Sequence, residues 1–316
     1  MWIVRGRASS PETARGAGRA VVALGTFDGV HLGHRAILGT AVDRGRAIGL
    51  PAVACTFDPH PIEVLQPGRA PVAITTLDER LALIAETGVA GTIVVEFTLA
   101  TAAIEPETFV TDVLLGHFGA REIVVGFNHT FGRGARGNAE LLGKLGERFG
   151  FRTHVVPPYT VDGVPVSSTA IRAALGGGEV ERASTFLGRP YTVAGEVVRG
   201  AGRGRTLGFP TANVRPERPL LVNAGVYACR ADVDGHVRDA VVNIGVRPTF
   251  GETELAVEAY LFDFAGDIYG RRMRLDFVAR VRHEQKFPSV DALKARIATD
   301  LVEARRRLAD APIGRQ

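Results

Sequence analysis

Two histidines set three residues apart, His31 and His34, close the stretch Gly25-Thr-Phe-Asp-Gly-Val-His-Leu-Gly-His34. An apolar run over 20–24 precedes them and reads as a buried strand. Ala36, Ile37, Ala41, Val42 and Ile48 follow at helical spacing. The pair therefore falls at a strand-to-helix turn and shares one helix face. A helix N-terminus offers unpaired backbone N–H groups and a partial positive charge, and it binds anions, phosphates above all. Gly25, Gly29 and Gly33 let a ligand come close to the backbone. Phe27 and Asp28 lie inside the same turn. The chemistry this suits is holding the phosphates of a nucleoside triphosphate. Zinc is the alternative for two such histidines, but it needs four ligands, and no Cys or Glu cluster stands nearby.

Further along, Ser167-Ser-Thr-Ala-Ile-Arg172 places hydroxyls at a helix start with an arginine one turn in. Ser167, Ser168 and Thr169 can cap the helix or donate to phosphate, and Arg172 can fork onto a phosphate oxygen. Taken alone, a plain N-cap with a solvated arginine explains them as well. The run Arg203-Gly-Arg-Thr-Leu-Gly-Phe-Pro-Thr-Ala-Asn213 has no Walker A spacing. Its glycines can still bring backbone amides to phosphates. Thr211 and Asn213 alternate along a strand start, share a face, and offer hard oxygens suited to Mg²⁺. Glu258 interrupts an apolar strand-like run, where a carboxylate is disfavoured unless it has work or a partner such as Arg280 or Arg282. Asp263 and Asp267 read as turn residues.

These groups need a scaffold. From 20 to 157, strand-like runs at 21–24, 52–57, 92–95, 122–126 and 153–156 alternate with helical stretches near 32–48, 76–87, 105–118 and 138–149. That rhythm predicts a doubly wound α/β domain with a parallel sheet, whose ligands bind at the carboxyl ends of the strands. The histidine turn, Phe57-Asp-Pro-His-Pro61 and Gly126-Phe-Asn-His-Thr-Phe-Gly132 all follow such ends. Two short helices split by Gly176-Gly-Gly178 come next. Beyond 187, Val- and aromatic-rich runs at 191–198, 226–233, 240–244, 256–264 and 273–281 carry no helices between them. They predict an all-β barrel or sandwich, closed by an amphipathic helix over 290–308 that packs on it. The expected domains are 1–186 and 187–316, with 6–19 the least ordered stretch.

The composition is that of a globular protein: 46% hydrophobic, 23% charged, net charge +4. The charge suits anionic small substrates and is too scattered for nucleic acid. Cys55 and Cys229 read as buried free thiols. With no apolar run of membrane length and no leader-like start, the expectation is a cytoplasmic protein without membrane attachment.

The H-x-G-H signature resembles the nucleotidyltransferase superfamily, and its longer form resembles the prokaryotic FAD synthetases. The S-S-T-x-x-R element is similar to theirs. P-T-A-N at 210–213, Asn243-Ile-Gly-Val-Arg-Pro-Thr-Phe250 and the segment around Glu258 resemble riboflavin kinases. The order is that of the bifunctional riboflavin kinase/FAD synthetase family, a resemblance covering about 20–308. It implies a Rossmann-like first domain that joins AMP from ATP to FMN and releases pyrophosphate. It implies a Greek-key barrel second domain that phosphorylates riboflavin, leaving ADP. The partners implied are riboflavin, FMN, FAD and ATP with Mg²⁺, in a monomer or weak homo-oligomer. By that resemblance His31, His34 and Arg172 bracket the triphosphate with Gly25, Phe27, Asp28, Gly33 and Ser167–Thr169. Pro59 and Pro61 face the isoalloxazine, and Asn128 and Phe131 help bind flavin and nucleotide. For Asn128 and Phe131, a turn residue and a core aromatic are the competing reading. Gly204, Gly208, Phe209, Pro210, Thr211 and Asn213 would hold ATP in the kinase. Glu258 would accept the ribityl hydroxyl proton. Arg282, Glu284 and Phe287, opening the final helix region, would form the flavin pocket.

Overall fold

The computed structural model describes residues 1–8, 19–200, 202–248 and 253–311. The expectation of a poorly ordered 6–19 falls largely on residues outside that set. The chain forms two compact units, Met1–Ser168 and Thr169–Gln316.

The first unit is built on six parallel strands: β1 (Trp2–Gly6), β2 (Ala20–Leu24), β3 (Ala52–Asp58), β4 (Gly91–Glu96), β5 (Ala120–Gly126) and β6 (Arg152–Val156). Their order is β1-β4-β3-β2-β5-β6. All five residues of β2 are buried, as a central parallel strand covered on both faces requires. From β2 the chain winds one way to β3 and β4, then crosses back to β5 and β6. The switch point therefore lies at the carboxyl end of β2, where the histidine turn begins. The helices flanking the sheet carry local stop and start signals. Helix α1 (Leu32–Ile48) opens on His31 as its cap and ends on Gly49 at φ +66. Helix α2 (Pro61–Leu65) is capped by His60, whose Nδ1 accepts the Ile62 N–H at 3.2 Å. Helix α3 (Leu77–Ala85) starts with a reciprocal capping box between Thr76 and Glu79. Helix α4 (Ala139–Phe149) is capped by Asn138. The sheet's two faces are filled by separate apolar clusters. One is built around Phe109, Phe118, Phe131 and Leu142, the other around Phe27, Leu38 and Ile84.

Two expectations need correction here. Strand β1 was not foreseen; it is an edge strand on β4, with the Trp2 ring lying where a Cβ on Gly91 would be, 2.1 Å away. The stretch 105–118 is not one α-helix. A single turn over Pro106–Thr108 passes into a π-helical segment over Phe109–His117.

In the second unit, α5 (Ser168–Gly176) and α6 (Val180–Leu187) are separated by glycines, with Gly178 at φ +72. Six antiparallel strands follow: β7 (Tyr191–Val198), β8 (Ala212–Pro216), β9 (Gly225–Val233), β10 (His236–Pro248), β11 (Thr253–Leu261) and β12 (Arg272–His283). They close into a barrel in the order β7-β8-β11-β10-β9-β12. Val214, Val242, Ile244, Val257 and Ala259 fill its interior. Helix α7 (Val290–Asp310), capped by Ser289, lays Leu301, Ala304 and Leu308 against Val226, Val241 and Phe262. The strand expected over 256–264 runs over Thr253–Leu261. Cys55 and Cys229 are buried free thiols.

Candidate functional site

The first candidate site forms where β2 meets α1. His31 is not on the helix but one residue before it: its Nδ1 accepts the His34 N–H at 3.2 Å. A neutral His31 ring must then carry its proton on Nε2, leaving that edge as a donor. The two rings stack, 3.6 Å between centroids and 17° apart, and His34 meets the Phe27 ring edge-on at 5.4 Å. Burial above all, with repulsion from a protonated His31 and from Arg80 adding to it, holds the His34 imidazole well below the usual histidine range, so it is neutral near pH 7. Its Nδ1 is enclosed and has no partner among the described residues.

The turn is held in a demanding shape. Phe27 and Val30 take positive φ, +51° and +38°, which non-glycine residues adopt only where their surroundings impose it. Asp28, 3% exposed, accepts from the backbone N–H of Ile74 at 3.0 Å and Thr75 at 3.2 Å, and from Thr75 Oγ1. Its carboxylate anchors the turn to the segment before α3. Ser168 Oγ donates to the Asp28 carbonyl at 3.0 Å, which brings the 166–168 segment beside the turn. The Val166 carbonyl lies 3.6 Å from where a Cβ on Gly33 would stand. Ser167 is half-buried, Thr169 is exposed, and Arg172 is half-buried on α5.

The loops after β3 and β5 end on the same edge of the sheet. Pro59 is exposed and Pro61 half-buried at the start of α2. His60, to which the sequence reading gives no role, is the cap of that helix. Asn128 is exposed, whereas Phe131 is buried against Phe109 at 6.0 Å and belongs to the core. His129 stacks on Phe131 at 5.9 Å. Burial lowers its pKa to about 4, and its Nε2 has no partner among the described residues.

Arg80 is the residue the sequence reading missed. It is 6% exposed and donates to the carbonyls of Thr26, at 2.9 Å, and Phe57, at 3.2 Å. A signal was present: Arg80 interrupts the stripe Leu77, Leu81, Ile84 at helical spacing.

The second candidate site lies in the barrel unit. A cavity of about 260 Å³ is lined by Arg199, Gly200, Gly202, Gly204, Pro210, Thr211 and Tyr269. A Cβ on Gly200 would fall 2.1 Å from Asn213 Nδ2, and one on Gly204 would fall 2.9 Å from Thr211 Oγ1. Those two glycines make room for a hydroxyl and an amide at the cavity wall. Both side chains offer hard oxygens that could hold a divalent cation alongside phosphate and water. Among the described residues no group of three His, Cys, Asp or Glu is placed to hold a metal. Thr211 precedes β8 and Asn213 lies on it. Gly208, at φ +90, follows the one-turn helix Arg203–Leu207, with Phe209 half-buried beside it. Arg199 stacks over Tyr269 at 4.9 Å, a pair the sequence did not flag.

Glu258 is in register with Asn213 on one side and Asn243 on the other, so the three share one face of the sheet. The suggested partners Arg280 and Arg282 are engaged elsewhere. Arg280 donates to the Gly177 carbonyl, and Arg282 pairs with Asp300 at 2.8 Å. Arg282, Glu284 and Phe287 do not open a helix. Arg282 lies in β12, and the other two lie in the connection to α7. Two of them meet: the Arg282 guanidinium stands 5.5 Å over the Phe287 ring. Glu284 Oε1 and Asn243 Nδ2 both lie 3.3 Å from where a Cβ on Gly245 would be.

Comparison with known proteins gives matching results. The FAD synthetase family model matches residues 14–170 and the riboflavin kinase family model residues 187–308. The bifunctional riboflavin kinase/FMN adenylyltransferase of Escherichia coli K12 is 39% identical, over 90% of this chain and 91% of its own length. Those of Bacillus subtilis, 37% over 90% and 92%, and Pseudomonas fluorescens, 36% over 96% and 97%, carry the same name. A crystal structure described as a macrolide-efflux protein from Streptococcus pneumoniae superposes with a TM-score of 0.88 at 30% identity, covering 96% of this chain and 99% of that one. No helix among the described residues is long and apolar enough to cross a membrane.

Proposed function

The chain belongs to the bifunctional riboflavin kinase/FMN adenylyltransferase family, and from that premise we propose how its residues divide the work. It phosphorylates riboflavin to FMN and adenylylates FMN to FAD, with ATP as donor in both steps.

In adenylyl transfer an FMN phosphate oxygen attacks the α-phosphorus of ATP and pyrophosphate leaves. The nucleophile is already an anion, so the difficulty is charge crowding rather than deprotonation. The stacked His31 and His34 carry this reading. They stand at a helix N-terminus, at the switch point of a parallel sheet, where the His34 N–H is already taken by His31 and the first-turn N–H groups before it face the ligand side in our assignment. In our assignment they steady the phosphate oxygens, His31 through Nε2–H, joined by Ser167, Ser168, Thr169 and Arg172. Gly25, Phe27 and Asp28 act by shaping the turn. Asn128, Pro59 and Pro61 line the flavin side, and Phe131 supports them from the core.

In the kinase step the riboflavin 5′-hydroxyl attacks the γ-phosphorus and ADP leaves. Glu258 orients that hydroxyl and takes its proton late, as a loose phosphoryl transition state allows. ATP occupies the cavity bounded by Gly204, Pro210 and Thr211, beside Gly208, Phe209 and Asn213. Thr211 and Asn213 would hold Mg²⁺, which neutralises phosphate oxygens when bound. Arg282, Glu284 and Phe287 form the flavin wall.

We place the functional boundary at 187, where the riboflavin kinase match begins. We assign the protein to the cytoplasm as a monomer or weak homo-oligomer. Incubating it with riboflavin, ATP and Mg²⁺ and resolving the flavins by chromatography should show FMN rising first and FAD following. FMN without FAD would remove the assignment of the histidine turn.

A further inference from the structure

We propose that Arg80 is a positioning residue of the adenylyl-transfer site: its guanidinium ties the loop after β2 to the carboxyl end of β3 and so fixes where the histidine turn stands. The inference rests on the assignment of that turn to FMN adenylylation.

The loops bearing the histidines and the Pro59–Pro61 wall leave neighbouring strands, and Arg80 reaches both from α3. Its Nη1 lies 2.9 Å from the Thr26 carbonyl, 3.2 Å from the Phe57 carbonyl and 3.4 Å from Thr56 Oγ1. Thr56 Oγ1 itself donates to the Thr26 carbonyl at 2.9 Å. Thr26 directly precedes Phe27, the first of the two residues forced to positive φ. Asp28 fixes the next position through Ile74 and Thr75. The turn is thus pinned from two sides by one stretch of chain, residues 74 to 80, and Arg80 is the pin that also grips β3.

Stability alone does not explain the residue. A buried guanidinium carries a desolvation cost that an apolar side chain on the Leu77–Leu81–Ile84 stripe would not. Its ion pair with Asp58 is long, 3.5 Å, and its Nε has no partner among the described residues. The charge also bears on the histidines. Arg80 is the permanent charge that acts on His34, and like a protonated His31 it favours the neutral form. Asp28, Asp58 and Glu63 face Arg80 and keep it charged against burial. Arginine stays cationic across the working pH range, so it supplies a fixed positive charge behind a neutral imidazole.

The test compares Arg80→Met, Arg80→Lys and His34→Ala in the full-length chain. FMN adenylylation, riboflavin phosphorylation and melting temperature are measured on each preparation, with the His34 imidazole followed by NMR through pH 5 to 8. Arg80→Met should lower the kcat of FMN adenylylation roughly 10- to 100-fold, the usual consequence of displacing a reacting group by about 1 Å. Riboflavin phosphorylation should be unchanged, and the His34 titration should move to higher pH. Lysine keeps the charge but lacks the planar fork whose Nη1 holds Thr26 and Phe57 while Nη2 faces Asp58, so Arg80→Lys should restore the titration and only part of kcat. If Arg80→Met does not fold, Arg80→Lys decides: a reduced kcat at parental melting temperature supports the inference, and a parental kcat overturns it. An impaired His34→Ala beside a fully active Arg80→Met overturns the role of Arg80 alone. A fully active His34→Ala overturns the reading of the turn, and this inference with it.

Discussion

Replacing His34 by alanine removes an imidazole from a preformed phosphate cradle. FMN adenylylation is expected to fall roughly 100- to 1000-fold in kcat, the usual loss for one preorganised donor. Riboflavin phosphorylation by the same preparation should not change. Glu258→Gln makes the opposite split. The kinase step should lose roughly 100- to 10,000-fold, the span of a positioned acid–base group, with adenylylation intact. The amide is nearly isosteric and the strand register with Asn213 and Asn243 is a backbone pairing, so the melting temperature should hold. A glutamate kept only for an ion pair would behave otherwise, losing stability and sparing kcat. Its suggested partners already have other acceptors, Arg282 in Asp300 and Arg280 in Gly177. At this scale the sequence was legible where a residue type is rare for its setting. Paired histidines after a strand, and a carboxylate in an apolar run, both stand out. Arg80 did not, because arginine in a helix normally reads as a solvated face, and only its place in an apolar stripe betrays it. The cap role of His60 depends on a turn of five residues, too short to show a period.

The elements set the response to acid. His129 has its pKa lowered to about 4 by burial, against 6.5 when unfolded, and His34 is shifted the same way. Between these values the unfolded chain binds a proton that the folded chain refuses. Stability should therefore fall as pH drops below about 6.5, and the His129 contribution should be complete near 4. The slope approaches about 1.4 kcal/mol per pH unit for each such group. His129→Phe keeps the stack on Phe131 and should remove one group's share. Trp2, the only tryptophan, sits in the first unit and reports its urea unfolding by fluorescence. A slope unchanged by His129→Phe would show that the ring titrates freely in the folded state. Helix α1 was readable to its ends because periodicity, cap and terminal glycine agree. The π-helical segment was not, since an extra residue per turn leaves the apolar pattern of Phe109, Val110, Val113 and Leu114 looking α-helical. Strand β1 is five residues long and half exposed, which composition does not separate from a loop.

For the whole molecule the two activities should separate. A fragment from Leu187 to Gln316 should convert riboflavin to FMN and make no FAD. A fragment from Thr169 should do the same and melt higher. Helix α6 buries Val180, Ala183 and Phe186 in the barrel unit, and Glu181 accepts the Arg280 N–H. Losing those apolar contacts removes on the order of 3 kcal/mol or more. For a unit of this size that is roughly 10 °C in melting temperature. Equal melting temperatures would mean that α5 and α6 contribute nothing to the barrel. A soluble Leu187 fragment without kinase activity would move the chemistry elsewhere. Strand β1 bears on how the chain is made. Among the described residues it pairs with β4 alone, which is made about 85 residues later, a delay of roughly 5–15 s at ordinary rates of synthesis. The central strands β2 and β3 can pair before that partner exists. The nascent N-terminal segment must therefore wait unpaired while the middle of the sheet assembles. Its alternating exposed residues, Ile3 and Arg5, sit on a strand with no long apolar face to attract another chain meanwhile.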